Sequence, residues 1–292
     1  MATDSDVRFY LEDLRTKFDK IDPTQYYLSY SGGKDSHLLL WFIKEYAHIE
    51  GIEIVSFNTG MEHPEIFKRM RQHADKILVP AKKPMDIKRE NGIPCFSKVQ
   101  DQIIAAYQKG SRAPYVMQGI NKTNSAGKPS WFGLNNTARR LLLSGELHKV
   151  SDECCKYMKK IPAKKYEKQS GKKAIMGVRG AEGLRRKAKY QSCFTKDMKF
   201  TPLHDLSDEL LNAIYTQYNI EIPEVYKHVT RTGCMGCPYG SWNGDTKKEL
   251  DLLPELKRNF VIDYFRESYE VLGIDLNYQT KIEGIEVDSG EL

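Results

Sequence analysis

A six-residue loop, Ser31-Gly32-Gly33-Lys34-Asp35-Ser36, separates the β-prone run Tyr26-Tyr27-Leu28-Ser29-Tyr30 from the helix-periodic run His37 to Ala47. A short apolar segment, a glycine pair and a periodic segment predict strand, tight loop and helix N-terminus. That combination makes an anion site. Gly32 and Gly33 can take backbone angles closed to other residues and leave no side chain in the way, so successive N–H groups can turn toward one phosphate or sulfate. The helix start adds unpaired N–H groups and the positive end of its dipole. Lys34 brings a cation, and Ser31 and Ser36 bring hydroxyl donors. Asp35 would repel a bare anion, so it is expected either to cap the helix or to hold a magnesium ion beside the phosphates. The Gly-x-x-x-x-Gly-Lys-Ser/Thr spacing of the Walker loop is missing.

A chain of 292 residues can bury a sizeable core, as one large domain or two smaller ones. Its 40% hydrophobic and 29% charged residues are those of an ordinary soluble globular protein. The net charge of +6 fits an anionic ligand without separating a nucleotide from a nucleic acid. The densest basic run holds Lys156, Lys159, Lys160, Lys164, Lys165, Lys168, Lys172 and Lys173. A solvated face is the commoner explanation, and the neighbouring cysteine pair keeps a phosphate or nucleic-acid role open. The longest apolar run, Leu38 to Ile43, is too short to span a bilayer, and the acidic, polar N-terminus is unlike a signal peptide. A cytoplasmic location is expected, and with it six cysteines that are not structural disulfides.

Along the chain, Asp4 to Ile21 reads as a leading helix with Asp4 or Ser5 as cap. Glu53–Phe57 reads as a second strand ending at Asn58-Thr59-Gly60, and His63-Pro64-Glu65 starts another helix. Further strands are expected at Lys76 to Val79 and Lys173 to Val178, and helices at Val99 to Gln108, Asn136 to Leu143, Glu146 to Lys160, Asp208 to Tyr218 and Lys247 to Val271. Residues 109–133, rich in Gly, Ser, Asn, Lys and Pro, are expected to form a mobile active-site loop. The fold class is therefore α/β, a parallel twisted sheet with helices on both faces, and a mainly helical C-terminal part. The expected domains are residues 1–205 and 206–292. In such sheets ligands sit outside the carboxyl ends of the strands, where both glycine turns fall.

Cys154-Cys155 and Cys234-Met235-Gly236-Cys237 form a second signal. Two thiolates separated by two residues can bind one metal centre, and the tandem pair is compatible with a four-thiolate iron–sulfur cluster. Zinc and a set of inert buried thiols are the alternatives. Cys193 could replace one ligand, and Cys95 is expected near the nucleotide as a packed or reactive thiol.

Ser31 to Ser36 resembles the PP-loop of the adenine-nucleotide α-hydrolase superfamily, which includes ATP pyrophosphatases and sulfonucleotide reductases. The combined pattern, over roughly residues 25–240, resembles the phosphoadenosine phosphosulfate reductase family, and in its cysteines the iron–sulfur branch. That resemblance implies Cys154, Cys155, Cys234 and Cys237 as ligands of a [4Fe–4S] cluster. The family's Gly-x-Arg-x-x-Glu-Ser-x-x-Arg segment is similar to Gly177, Arg179, Glu182 and Arg186, with Gly183 in place of the serine. Its Asp-Thr-Gly turn resembles Asn58-Thr59-Gly60, and its Pro-Leu stretch matches Pro202-Leu203. Sulfonucleotide reductases use a cysteine in a C-terminal Glu-Cys-Gly-x-His tail. Here no cysteine follows Cys237 and Glu283 to Leu292 holds no substitute, so reduction by that route is not expected. Relatives lacking the tail are linked to DNA phosphorothioation and to phage or mobile-element sulfur chemistry, in which ATP adenylates a substrate before sulfur is delivered.

The implied nucleotide site is Ser31, Gly32, Gly33, Lys34, Asp35, Ser36, Asn58, Thr59, Gly60, Gly177, Arg179, Glu182 and Arg186, with Lys34, Asp35, Arg179 and Arg186 catalytic. Arg179 and Arg186, seven apart, could both face the phosphates from one helix, with a Glu182–Arg186 surface pair as the ordinary alternative. His204 and His228 are general acid–base candidates or structural histidines. The expected ligand is ATP or a related adenosine phosphate with magnesium, attacked at the α-phosphorus. Two alternatives stand beside this: a sulfonucleotide reductase using Cys95 or Cys193, and a nucleotide- or nucleic-acid-binding subunit of a sulfur-modification or defence assembly. An electron- or sulfur-donor protein, a nucleic-acid acceptor and a homo-oligomer are the partners left open, and no membrane is expected.

Overall fold

In the computed structural model, residues 2–277 are described. In chain order the strands are β1 (Tyr26–Ser29), β2 (Glu53–Phe57), β3 (Lys76–Leu78) and β4 (Lys173–Ile175). The helices are α1 (Asp4–Phe18), α2 (Lys34–Trp41), α3 (Pro64–His73), α4 (Pro84–Asn91), α5 (Lys98–Gln108), α6 (Pro114–Asn121), α7 (Asn136–Ser144), α8 (Glu153–Cys155), α9 (Ile161–Ser170), α10 (Leu184–Lys189), α11 (Asp208–Gln217), α12 (Asp245–Leu252) and α13 (Glu255–Leu272). A wider helical turn, Lys156–Lys160, joins α8 to α9.

The sheet runs β3-β2-β1-β4 with every pair parallel, Leu28 lying opposite Ile54 and Ile175. Tyr26, Tyr27 and Leu28 are all buried, as a central parallel strand covered on both faces should be. Leu28, Ile54 and Ile175 face a core with Leu11, Leu14, Leu38 and Leu39 of α1 and α2 and with Leu211, Ile214 and Tyr215 of α11. Tyr27, Val55 and Ala174 point the other way, against Tyr166 of α9. Two further cores lie beyond the sheet. One gathers Met61, Ile87, Cys154, Met158, Met235 and residues of α12 and α13. The other joins α5, α6 and α7 through Ile103, Ile104, Val116, Ile120, Ala138 and Leu142. No helix among the described residues is long and apolar enough to cross a membrane.

Several local expectations are corrected. The segment 109–133 carries α6, opened by Pro114 at a position that needs no N–H, and its Val116 and Ile120 are buried. Gly119 lets α6 approach α5, since a Cβ there would lie 2.6 Å from Ile103 Cδ1. The helix expected from Glu146 begins only at Glu153, because 149–151 is extended and pairs with Ile93, whose N–H donates to Lys149 O at 3.1 Å. Lys247 to Val271 is broken between α12 and α13. Leu253 is extended (ψ 140°) ahead of Pro254, which disfavours helical angles in its predecessor and lacks a donor. The last strand stops at Ile175 and not Val178. Thr3, and not Asp4 or Ser5, caps α1, in a reciprocal box with Asp6. The tail Glu283 to Leu292 lies outside the described residues.

Candidate active site

The loop after β1 is held by its own small residues. Gly32 has φ +74°, and a Cβ there would come within 2.7 Å of Ile66 O. No other residue fits that position without displacing α3. Gly33 occupies the N-cap position of α2. Ser36 Oγ donates to Gly33 O at 3.0 Å, lies 3.0 Å from Ser31 Oγ and accepts the Ser31 N–H at 3.2 Å. Gly177, just past β4, packs against the first turn of α2: a Cβ would lie 2.8 Å from Ser36 N. Tyr215 of α11 donates to Lys34 O at 2.6 Å, anchoring the same turn from outside.

Arg179 is 1% exposed. Its Nε donates to Asp35 Oδ1 at 2.7 Å, one terminal nitrogen lies 2.9 Å from Asp208 Oδ1, and the other donates to Leu206 O at 3.4 Å. The structure therefore corrects two expectations. Asp35 does not cap α2; it is engaged by Arg179. Arg179 and Arg186 do not lie two turns apart on one helix, because a short 3-10 turn at Gly180–Glu182 and the break at Gly183 precede α10. Arg186 forms the ordinary pair with Glu182, four residues back, and Glu182 Oε2 also accepts the Arg179 N–H at 3.3 Å.

Above these groups opens a cavity of about 870 Å³, bordered by Ser31, Lys34, Asp35, Ser36, Gly177, Arg179, Glu182 and Arg186 together with Tyr226, His228, Arg231, Thr232 and Trp242. The last five were not singled out as nucleotide-site residues from the sequence, except that His228 was a general acid–base candidate. The signal available was the cluster of basic and hydroxyl residues just ahead of Cys234. Tyr226 Oη accepts the Lys34 N–H at 3.2 Å and lies 2.7 Å from Thr232 Oγ1. Lys34 Nζ sits 5.6 Å from the centre of the Tyr226 ring. Burial, and after it the nearby Arg231 charge, lowers the Arg186 proton affinity. The cavity thus holds cations that repel one another. All three of its acidic lining residues, Asp35, Glu182 and Asp208, are engaged by arginine.

Asn58, Thr59 and Gly60 do not border this cavity. Thr59 gives its N–H and hydroxyl to Glu62, at 3.0 and 2.6 Å, and lies beside Cys234. His204 is also elsewhere, its Nδ1 3.9 Å from Cys193 Sγ. Cys95 is fully buried and its thiol is pushed up to about 12, first by burial. Burial likewise raises the Cys193 thiol. Neither borders the cavity. The basic run is divided: Lys156 pairs with Glu153 and Lys172 with Glu53, while Lys159 faces thiols.

Cys154, Cys155 and Cys234 share one apolar core with Met235, Tyr264 and Tyr269. A hydrogen bond between the tandem thiols lowers Cys155 and raises Cys154, and the latter also feels Cys237 and Cys234. Burial raises Cys234 and Cys237, and each also feels Cys155. Cys234 leads the charges that raise Lys159. Met235 N–H donates to Met61 O at 2.6 Å, tying the cysteine loop to the turn after β2. Gly236 has φ +58°, and a Cβ would meet Tyr269 Oη at 2.5 Å. Among the described residues no three His, Cys, Asp or Glu side chains are arranged around a single metal ion, which in tetrahedral zinc would need sulfurs about 3.8 Å apart. A four-iron cluster is larger and takes four thiolates. Cys154, Cys155 and Cys234 in one apolar core, with Cys237 near enough for its charge to be felt by Cys154, make up a donor set of that kind.

Residues 135–239 match the family model of the phosphoadenosine phosphosulfate reductase domain. No curated protein matches the chain. Among solved structures, the NH3-dependent NAD synthetase from Campylobacter jejuni subsp. jejuni NCTC 11168 in complex with the nitrate ion is similar at 12% identity, covering 91% of this chain and 94% of that one, with a TM-score of 0.37. The U34-tRNA thiolase NcsA from Methanococcus maripaludis with its [4Fe-4S] cluster is similar at 12% identity, covering 98% of this chain and 85% of that one, with a TM-score of 0.39. The matched stretch is about a third of the chain and contains the tandem cysteines, the Gly177 to Arg186 segment and the Cys-x-x-Cys, so the likeness to the phosphoadenosine phosphosulfate reductase domain rests on the residues that carry those motifs.

Proposed function

We propose that this protein is a PP-loop enzyme that binds ATP, or an adenosine phosphosulfate, with magnesium and activates an acceptor for sulfur transfer. One observation carries the reading. Lys34, Arg186 and Arg231 border a cavity at the N-terminus of α2 whose own carboxylates are all engaged by arginine. Such a site favours a polyanion. With ATP, an acceptor oxygen attacks the α-phosphorus, the bond to the bridging oxygen breaks and pyrophosphate leaves; magnesium, when bound, would neutralise charge on the leaving group. A sulfur nucleophile then displaces AMP, which carries away the acceptor oxygen. Lys34 and the α2 amides stabilise charge on the phosphate oxygens. Asp35, with Oδ1 held by Arg179, would be the carboxylate to hold magnesium beside the phosphates. Arg179 positions Asp35, and Arg186, paired with Glu182 at the cavity wall, supplies counter-charge to the phosphates.

Cys154, Cys155, Cys234 and Cys237 would hold a [4Fe–4S] cluster, which when bound supplies electrons or a seat for the sulfur atom. The test is anaerobic incubation with ATP and magnesium, followed by separation of the nucleotides. AMP and pyrophosphate appearing once acceptor is present support the reading; ADP alone overturns it. Iron and sulfide analysis with an absorption spectrum tests the cluster independently.

A further inference from the structure

A second cavity, of about 680 Å³, lies where the first turns of α5 and α7 meet the 241–242 turn and the chain following α13. Its size is that of an organic-ligand site. Trp242 borders both this cavity and the nucleotide cavity and is 81% exposed. Phe96 and Ile274 provide further apolar wall. The polar groups are oriented by the backbone. Gln100 Oε1 accepts the Asn135 N–H at 2.9 Å, and Asn135 Oδ1 accepts the Ala138 N–H at 2.8 Å. Each carboxamide therefore has its oxygen engaged and its NH2 to offer. Asp275 accepts the Asn277 N–H through Oδ1, leaving Oδ2 to accept.

We infer that this second cavity is a nucleobase site, in which the indole of Trp242 stacks on the base while Gln100, Asn135 and Asp275 meet its edge. Flat apolar surface beside these two carboxamide donors and one carboxylate acceptor matches a ring with carbonyl oxygens next to an N–H, and Ser97, Ser241 and Lys247, the last paired with Asp251, complete the polar lining. The base would belong to the acceptor, and Trp242 would hold it between the two cavities. The binding claim stands alone; only the base's identity as acceptor rests on the proposed reaction.

The probe is a short fluorescently labelled single strand, as RNA and as DNA, titrated against the full chain by anisotropy, with free nucleoside monophosphates as competitors. Binding weakened about tenfold by Trp242→Ala, largely kept by Trp242→Phe and untouched by Trp131→Ala is the expected result. Trp131 is fully exposed and borders neither cavity. Monophosphates that fail to compete place the base in a strand; monophosphates that compete identify a free nucleotide. No saturable binding of either probe, or binding indifferent to Trp242→Ala, overturns the inference. Should Trp242→Ala misfold, the emission of Trp242 as the single tryptophan of a Trp41→Phe, Trp131→Phe protein replaces it as the readout: quenching by the probe supports the site, and unchanged emission refutes it. Calorimetric ATP binding by the unaltered protein tests the nucleotide reading separately.

Discussion

Arg179 spans two carboxylates, Asp35 and Asp208, from a position almost wholly out of water. Removing it strands Asp35, which is largely buried, while Asp208 is 65% exposed and stays solvated, so Arg179→Ala is expected to destabilise the fold by about 3 kcal/mol, the low end for breaking a buried pair, read from urea melts. Tyr226 poses a different question, because its hydroxyl occupies the Lys34 N–H that a phosphate oxygen would use. Tyr226→Phe keeps the ring and frees the donor. ATP binding should tighten several-fold, the equivalent of about 1 kcal/mol, and weaker binding by calorimetry would show that the hydroxyl contacts the nucleotide instead. His37 lies behind the loop, its Nδ1 3.0 Å from Tyr30 Oη, and burial, helped by Arg69 and His73, depresses it to about 3. The unfolded chain takes up that proton near pH 6.5. Between these values unfolding binds a proton, so stability is complete above the upper one and falls as pH drops toward the lower. The slope is at most about 1.4 kcal/mol per pH unit from this site. His37→Phe should flatten the acid limb of stability measured from neutral to mildly acidic pH.

At the level of elements, two glycines set how closely segments meet. Gly177 carries the exit of β4 past α2, with backbone atoms at 2.8 Å from where a Cβ would stand. Gly177→Ala must push the helix N-terminus away, and ATP affinity should fall tenfold or more, on the order of the cost of overpacking a tight contact. Gly236 plays the same part between the cysteine loop and α13. These elements were legible to different degrees. β1 and β2 follow from local apolar pattern, and their bounds agree closely with the sequence reading, whereas the run expected from His37 to Ala47 is α2 from Lys34 to Trp41 followed by a wider helical turn at Phe42–Tyr46. The stretch 146–152 was misread as helix because its extended form depends on pairing with Ile93, far upstream. The content of 109–133 was misread because polar composition outweighed the short α6 pattern of Val116 and Ile120.

Across the whole molecule, the sheet core and the cysteine-bearing core meet at the turn after β2, where Met61 and Thr59 touch the Cys-x-x-Cys loop. Thr232 and Tyr226 extend the same loop back to the α2 amide. The thiols themselves stand outside the nucleotide cavity. Cys234→Ser or Cys154→Ser should therefore remove bound iron and sulfide while leaving ATP affinity in place, as metal analysis and calorimetry on the same samples would report. The sequence by itself determined the glycine loop between β1 and α2, the parallel sheet and the cysteine pairs, because each is written in neighbouring residues whose spacing dictates local geometry. Only tertiary structure decided which groups share the cavity. Arg179 reaches Asp35 across 144 positions, and Tyr226 reaches Lys34 across 192. Thr59 turns to Glu62 and Cys234 instead of the nucleotide. Such pairings are set by how helices pack on the sheet, and no local pattern encodes them.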